Sequence, residues 1–437
     1  MPGNGLTKRQ ALDRTVLLIR RTLGLDEALA GQVVDSLCGV SACVIADSAN
    51  LDSHAGQTCL VTLVQLVQAM GCTVKLLIPE MPLSRPQPPL KGAALRAALV
   101  AYGTDSMPES SLSLVTETSQ HDLVFVIGDS PFNGPSKHAW RLVGGPWWGA
   151  TTSISGPAIR WTGDFPVGAA VAASIATAEP FKVAVRSLIT DLKLTFSPAE
   201  QFDLTSAARV DLAPGADEPG TIVLGNVDVT SAGAISMAAM HCLLRCRDLD
   251  ASFRIFDPDF LAISNFNRAP LALLSSFETP KVELIAKWRR LPQVAIAGFR
   301  SRVEERTLRE IGPLAPICLV GCDDIPTRWF VQAQKPKWVG IGSTADYFTL
   351  TSEHPDGSAC ARCLHKSDDS FRDAVATVSF VSYWAGLLVA TRLLRKAVGR
   401  PSPAVEQALS LVPLRLDLPN ALRWGPVARW DSCPICS

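Results

Sequence analysis

Two aspartates, an amide-rich turn, a lysine and a further acidic pair are gathered between Phe256 and Asp324. Phe256-Asp257-Pro258-Asp259 closes a β-type run, Ser264-Asn265-Phe266-Asn267-Arg268 follows, and Lys281 and Asp323-Asp324 complete the set. The mixture suits nucleotide chemistry. A strand-end carboxylate such as Asp257 can hold ribose hydroxyls, Arg268 and Lys281 can neutralise phosphates, and Asp323 can carry Mg²⁺. Any one of these residues alone would read as a solvated loop charge; together they read as an ATP site. Asp323-Asp324 has a second reading, as the N-cap of a helix beginning before Thr327-Arg328.

A second chemistry lies nearer the C-terminus. Cys360-Ala361-Arg362-Cys363 and Cys433-Pro434-Ile435-Cys436 are two Cys-x-x-Cys knuckles. Each offers two thiolates to one metal, and two knuckles make a tetrahedral S₄ zinc site. The long separation makes such a site structural, tying distant segments together. A redox pair is the other use of this spacing. His354 and His365 flank the first knuckle and read as exposed residues. Cys38, Cys43, Cys59, Cys72, Cys242, Cys246, Cys318 and Cys322 lie in apolar runs and read as core.

The elements that must position these groups repeat along the chain. A shift of 179 positions lays Val74–Pro79 on Phe253–Pro258, with Ile78 opposite Asp257, and lays Val44-Ile45 on Val223-Leu224. Thr58–Met70 and Ala232–Leu244 have helical character between these runs, giving a strand–helix–strand crossover in each half. Leu123–Gly128 parallels Ile317–Gly321 as a buried strand, and Val167–Leu188 parallels Ala376–Leu394 as a long apolar helix. Ser197–Gly220 reads as the linker. The expected architecture is α/β, with two Rossmann-like parallel-sheet halves forming a pseudo-dimer. Residues 1–200 form an inactive half, and residues 201–437 an active-like half with the Cys₄ site.

Length and composition agree with two domains. The chain has 437 residues, 47% of them hydrophobic, with 41 basic and 41 acidic side chains. Zero net charge gives no basic stripe to recommend nucleic acid as a partner. Twelve cysteines without a secretory-type N-terminal pattern predict a reducing, cytoplasmic setting. Ala374–Thr391 carries no charge, yet its polar residues and its place between the Cys pairs predict a buried helix rather than a membrane span.

Roughly from Asp211 to Ser437, the chain resembles the adenylyltransferase family of ubiquitin-activating enzymes and ThiF/MoeB-type sulfur-carrier activators. The resemblance rests on the Asp-x-Asp strand end, the Ser-Asn-x-x-Arg turn, Lys281, and Asp323 ahead of Arg328. It implies that Asp257 holds ribose, that Asn265 and Arg268 contact phosphates, that Lys281 acts at the α-phosphate, and that Asp323 holds Mg²⁺. Gly225 and Ser231 alone fit the family's glycine-rich loop. Val227, Asp228 and Thr230 replace glycines, and Asp228 would bring negative charge toward the phosphates.

The implied function is ATP-dependent adenylation of the C-terminal carboxylate of a ubiquitin-like or sulfur-carrier protein. A downstream conjugating or acceptor protein would consume the product. No cysteine lies between Cys363 and Cys433, and Asp373–Thr377 holds no thiol, so no thioester step is expected on this chain. The alternatives are a tail-binding scaffold without catalysis, and a peptide-modifying adenylyltransferase of the same fold. The first half lacks an equivalent Ser-Asn-x-x-Arg turn and is expected to bind no nucleotide. Single-domain relatives pair as homodimers. In the family an N-terminal arginine can reach the partner's active site, which makes Arg14 a candidate here.

Overall fold

The computed structural model describes residues 5–197, 199–288, 293–368 and 375–436. The first half contains β1 (Ser41–Ile45), β2 (Thr73–Leu77), β3 (Leu112–Leu114), β4 (Leu123–Ile127), β5 (His138–Gly144), β6 (Trp148–Ser153) and β7 (Ala208–Asp211). The second contains β8 (Ile222–Thr230), β9 (Leu249–Phe256), β10 (Val294–Phe299), β11 (Ile317–Val320), β12 (Trp338–Ala345), β13 (Phe348–Pro355), β14 (Ala408–Leu411) and β15 (Leu422–Gly425).

The first sheet has the order β3-β2-β1-β4-β5-β6-β7, and the second β10-β9-β8-β11-β12-β13-β14-β15. The second repeats the first strand for strand and adds β15. Both are parallel as far as β5 or β12 and antiparallel beyond. The expected parallel sheets are therefore mixed sheets with a parallel core. Every residue of β4 is buried, as a parallel strand covered on both faces requires.

The repeat is real, but a single shift does not describe it. Ile45 pairs with Leu77, and Thr230 with Phe256. Ile78 therefore does stand at the place of Asp257. Ile45, however, corresponds to Thr230 and not to Leu224, because the crossover is longer in the first half. The first sheet also runs past position 200. The Ala-Arg-Val-Asp strand β7, inside the expected linker, pairs with the edge of β6.

The long helices are Val167–Asp191 and Ser379–Ala397. Among the described residues Val167–Asp191 is the one helix long and apolar enough to cross a membrane, and 94% of its apolar 18-residue window is buried inside the protein. Ser379–Ala397 is buried along most of its length. Its expected first residue, Ala374, lies outside the described residues, as does Asp373. Helix Ser379–Ala397 lies close against helix Ala234–Leu243. A Cβ on Gly386 would stand 2.3 Å from the Ile235 carbonyl oxygen, so only glycine permits the approach.

The halves meet through helix His54–Gln68, every residue of which is buried. The seam is not purely apolar. His241 Nε2 lies 2.7 Å from Gln65 Oε1, and Tyr383 Oη lies 2.8 Å from His241 Nδ1. The fully buried Arg245 donates to Gln87 Oε1 and to the Pro88 carbonyl. His54 Nε2 is 2.9 Å from the Arg245 carbonyl oxygen. Buried polar groups need such partners, and here they key one half to the other.

Candidate active site

In an open α/β sheet the ligand crevice lies beyond the carboxyl ends of the strands where the order reverses. In the second half that point is between β8 and β11. A cleft of 470 Å³ opens there, within the usual range for a small-molecule site. Ser231–Gly233 follow β8, Asp257 and Asp259 follow β9, and Gly321–Asp323 follow β11. Asn265, Arg268 and Lys281 close the remaining side. Every expected ATP-site residue lines this cleft except Gly225.

Gly225 lies inside β8, where a bulge shifts the register against β9 and φ is +65°. The strand does not end there, because Val227 and Val229 are core residues that carry it to Thr230. The loop that follows is Ser231-Ala232-Gly233. Ser231 takes φ +78°, a left-handed conformation more natural to glycine. Its hydroxyl accepts from Gly233 N at 2.9 Å, which stabilises the turn. No side chain caps helix Ala234–Leu243, so its first amides remain available to an anion.

Asp228 does not face the phosphates as expected. It is fully buried and takes a bidentate pair from Arg254, both bonds 2.7 Å, while Ala315 N donates to the same carboxylate. Its charge is neutralised within the sheet.

Asp257 braces the loop. Oδ2 accepts from Ala232 N at 2.7 Å and Oδ1 from Asp259 N at 2.8 Å. Lys281 Nζ is 2.9 Å from Asp259 Oδ2. Asn265 Oδ1 accepts from Ala262 N and shapes the turn that carries Arg268. The acidic pair divides its labour: Asp324 is the N-cap, accepting from Thr327 N at 2.7 Å, while Asp323 lines the cleft.

Arg14 arrives from helix Asp13–Leu23 of the first half. Its carbonyl accepts from Thr377 N. Nε and Nη1 are buried without a hydrogen-bond partner, and Nε stands 3.5 Å from Asp13 Oδ2 in an ion pair. Burial, followed by repulsion from Arg14, pulls the Arg268 pKa down to about 10, against the opposing pull of Asp13 and Asp323. Two guanidiniums thus share a desolvated corner, an arrangement that attracts an anion.

Sequence reasoning missed other walls of the cleft. His365 is not simply exposed: it lines the cleft, and its Nε2 is 3.0 Å from Arg328 Nη1. His354 is buried against the Ala359 carbonyl. Cys322 is half-buried at the cleft rather than in the core, and burial raises its thiol to about 11. Cys38 is also half-buried. No local sequence signal marks these residues.

The four knuckle sulfurs lie within 4.8 Å of one another. Cys360 and Cys363 are 3.8 Å apart, and each is 3.4 Å from its partner in the second knuckle, Cys433 or Cys436. A tetrahedron with Zn–S bonds of about 2.3 Å has edges of about 3.8 Å, so the set fits one metal ion. It fastens the tail to helix Ala361–Leu364, the element that leads into His365.

Residues 231–421 match the ThiF family, and residues 41–190 match the BilD N-terminal domain. The second half is a ThiF family domain. The first half carries a BilD N-terminal domain. A curated relative, uncharacterized protein y4jF of Sinorhizobium fredii (strain NBRC 101917 / NGR234), is 22% identical over 240 residues, covering 53% of this chain. The chain spans 45% of that relative's length. E. coli MccB with MccA-N7isoASN has 14% identity and a TM-score of 0.41, over 48% of this chain and 67% of MccB. E. coli MccB with ATP gives 15% and 0.40, over 48% and 66%. PaaA gives 14% and 0.37, over 47% and 65%. Within the ThiF domain, the cleft just described is the candidate nucleotide site.

Proposed function

We propose that this chain is an adenylyltransferase acting on the C-terminal carboxylate of a ubiquitin-like protein, a sulfur-carrier protein or a peptide. The observation that carries this reading is the corner shared by Arg14 and Arg268, where Arg14 Nε and Nη1 are buried without hydrogen-bond partners. A polyphosphate supplies those partners.

In this reading the substrate carboxylate attacks the α-phosphorus of ATP, the α–β phosphoanhydride bond breaks, and pyrophosphate leaves. Arg14 and Arg268 stabilise charge on the phosphates, and Lys281 turns from Asp259 toward the α-phosphate. Asp323 would hold Mg²⁺, which neutralises phosphate charge when bound. The uncapped first amides of helix Ala234–Leu243 donate to phosphate oxygens. Asp257 would share its oxygens between the loop and the ribose. Catalysis is positioning and electrostatic stabilisation rather than covalent chemistry. The Cys₄ set would hold structural Zn²⁺. The protonated Cys322 thiol takes no acyl group, so the adenylate passes to a downstream nucleophile. The setting is cytoplasmic.

ATP–pyrophosphate exchange tests the reading, with ubiquitin-like proteins and short peptides as separate arms. Exchange that depends on a free C-terminal carboxylate supports it. Nucleotide binding without exchange in any arm would leave a scaffold that holds the tail.

A further inference from the structure

Arg268 donates through Nη1 to Asn267 Oδ1 at 2.7 Å. Asn267 is fully buried, and its Nδ2 donates to Thr15 Oγ1 at 2.9 Å. Thr15 is fully buried as well, and its hydroxyl donates to the Thr377 carbonyl at 3.3 Å. Three bonds therefore run in one direction. The hydroxyl points at a carbonyl, the amide nitrogen at the hydroxyl, and the guanidinium at the amide oxygen.

The direction matters because an asparagine amide can sit either way round. One orientation presents oxygen to Arg268; the other presents N–H to N–H. The Thr15 hydroxyl has already committed its proton to Thr377, so it meets Asn267 as an acceptor. That selects the orientation in which Oδ1 faces the guanidinium. Thr15 comes from the first half of the chain, next to Arg14, whereas Asn267 and Arg268 belong to the second.

We propose that Thr15 is a positioning residue for the transfer reaction: through Asn267 it sets the attitude of Arg268, and on its own helix it holds Arg14 toward the same corner. The proposal rests on the adenylation reading and adds that the first half orients the second half's phosphate clamp. Asn267 is a positioning residue in the same chain of bonds.

The test uses the full-length chain. Thr15→Val keeps the shape and removes the hydroxyl; Thr15→Ser keeps the hydroxyl. Thr15→Val is expected to lower kcat for ATP–pyrophosphate exchange about tenfold, the upper scale of one ordinary hydrogen bond. Thr15→Ser is expected to restore it to within about threefold of the parent, because the bond returns. In an Asn267→Ala background, Thr15→Val is expected to add less than about twofold, since both changes break one chain of bonds. General damage to the fold would instead multiply the two losses. Unchanged exchange in Thr15→Val, or an undiminished effect in the Asn267→Ala background, overturns the proposal.

Crystal structures of the parent and Thr15→Val provide a readout independent of turnover. A turned Asn267 amide with a displaced Arg268 supports the proposal even if no carboxylate substrate gives exchange, a result that would count against adenylation alone. An Arg268 unmoved in Thr15→Val overturns the proposal whatever the exchange assay gives.

Discussion

The chain contains two clefts built on one topology, and they differ in who satisfies their polar groups. In the second half, strand ends present Ser231, Asp257 and Asp323 to an open volume lined by Arg268 and Lys281. In the first half, Ile45 pairs with Val126 as Thr230 pairs with Val320, so Asp129 stands where Asp323 stands. There the crossover carries an extra helical turn, Ser48–Leu51, and its Asn50 fills the crevice. Asn50 Nδ2 lies 2.9 Å from Asp47, 2.8 Å from Asp129 and 3.1 Å from Ser130 Oγ, while Oδ1 accepts from Trp161 N. Arg160 pairs with Asp129 at 3.1 Å. The first cleft is closed by its own side chains, whereas the second leaves bonds for a ligand to make. The crevice of the first half is therefore a packed, hydrogen-bonded structure and not merely a place without the motif.

The largest test of the contrast is metal. The second half has the Cys₄ set, and among the described residues no comparable cluster stands in the first. Cys433→Ser together with Cys436→Ser should abolish bound zinc by elemental analysis and destabilise the second half by about 5 kcal/mol or more, a fraction of typical structural-zinc binding energy. Full zinc content in that variant would refute the assignment.

Next comes the clamp. Arg268→Ala should slow ATP–pyrophosphate exchange by about 100-fold to 1,000-fold, the usual range for one lost transition-state donor. Asp129→Asn, at the place in the closed cleft that matches Asp323, should leave exchange unchanged. Equal losses from the two changes would erase the distinction between the clefts.

The seam between the halves should respond to acid. Burial lowers the His54 pKa to about 4 and the His241 pKa well below its ordinary value, with the Arg245 charge pushing both the same way. Both rings are neutral in the folded chain, while an unfolded histidine binds a proton below about pH 6.5. The unfolded state thus binds more protons in this window, so stability is full above pH 6.5 and falls as pH drops toward 4. For His54 the loss amounts to about 3 kcal/mol. Denaturant melts at pH 7 and pH 4.5 check it, and His54→Gln should shrink the difference by the His54 share while that of His241 remains.

The smallest expected effect belongs to the plug. Asn50→Ala removes partners from Asp129 and Ser130 and should destabilise the first half by about 1–3 kcal/mol. Nucleotide titration should still give one site per chain, because Ile78 offers no ribose acid. A second site appearing in this variant would mean that Asn50 alone silences the half.

Much of this was legible in the sequence. The Asp-x-Asp and Ser-Asn-x-x-Arg spacing marks strand-end chemistry, and Ile78 opposite Asp257 marks the asymmetry correctly. Gly225 misled because a glycine in a strand bulge looks like the start of a glycine-rich loop, whereas the real loop opens on a left-handed serine. Asp228 misled because its partner Arg254 lies on the neighbouring strand, and cross-strand pairing has no local signature. The walls contributed by Cys322 and His365, and the buried bond from Asn267 to Thr15, depend on tertiary contacts that no spacing announces. The boundary at 200 failed for the same reason: a four-residue strand joined the sheet that precedes it.

Helix Asp13–Leu23 lies near the start of the chain, yet its Arg14 stands close enough to Arg268 to lower that group's pKa, and the cleft Arg268 lines is built from residues more than halfway along the chain. In a symmetrical pair of separate subunits, the arginine donor would arrive by association, and its occupancy would fall on dilution. Here donor and clamp share one covalent chain, so their encounter is set by a fixed effective concentration instead of by how much protein is present. A fragment holding only the second half would keep the whole Asp-Asn-Arg-Lys-Asp series and still lack its donor. Adding the first half back as a separate polypeptide is expected to make ATP–pyrophosphate exchange depend on the concentration of that polypeptide.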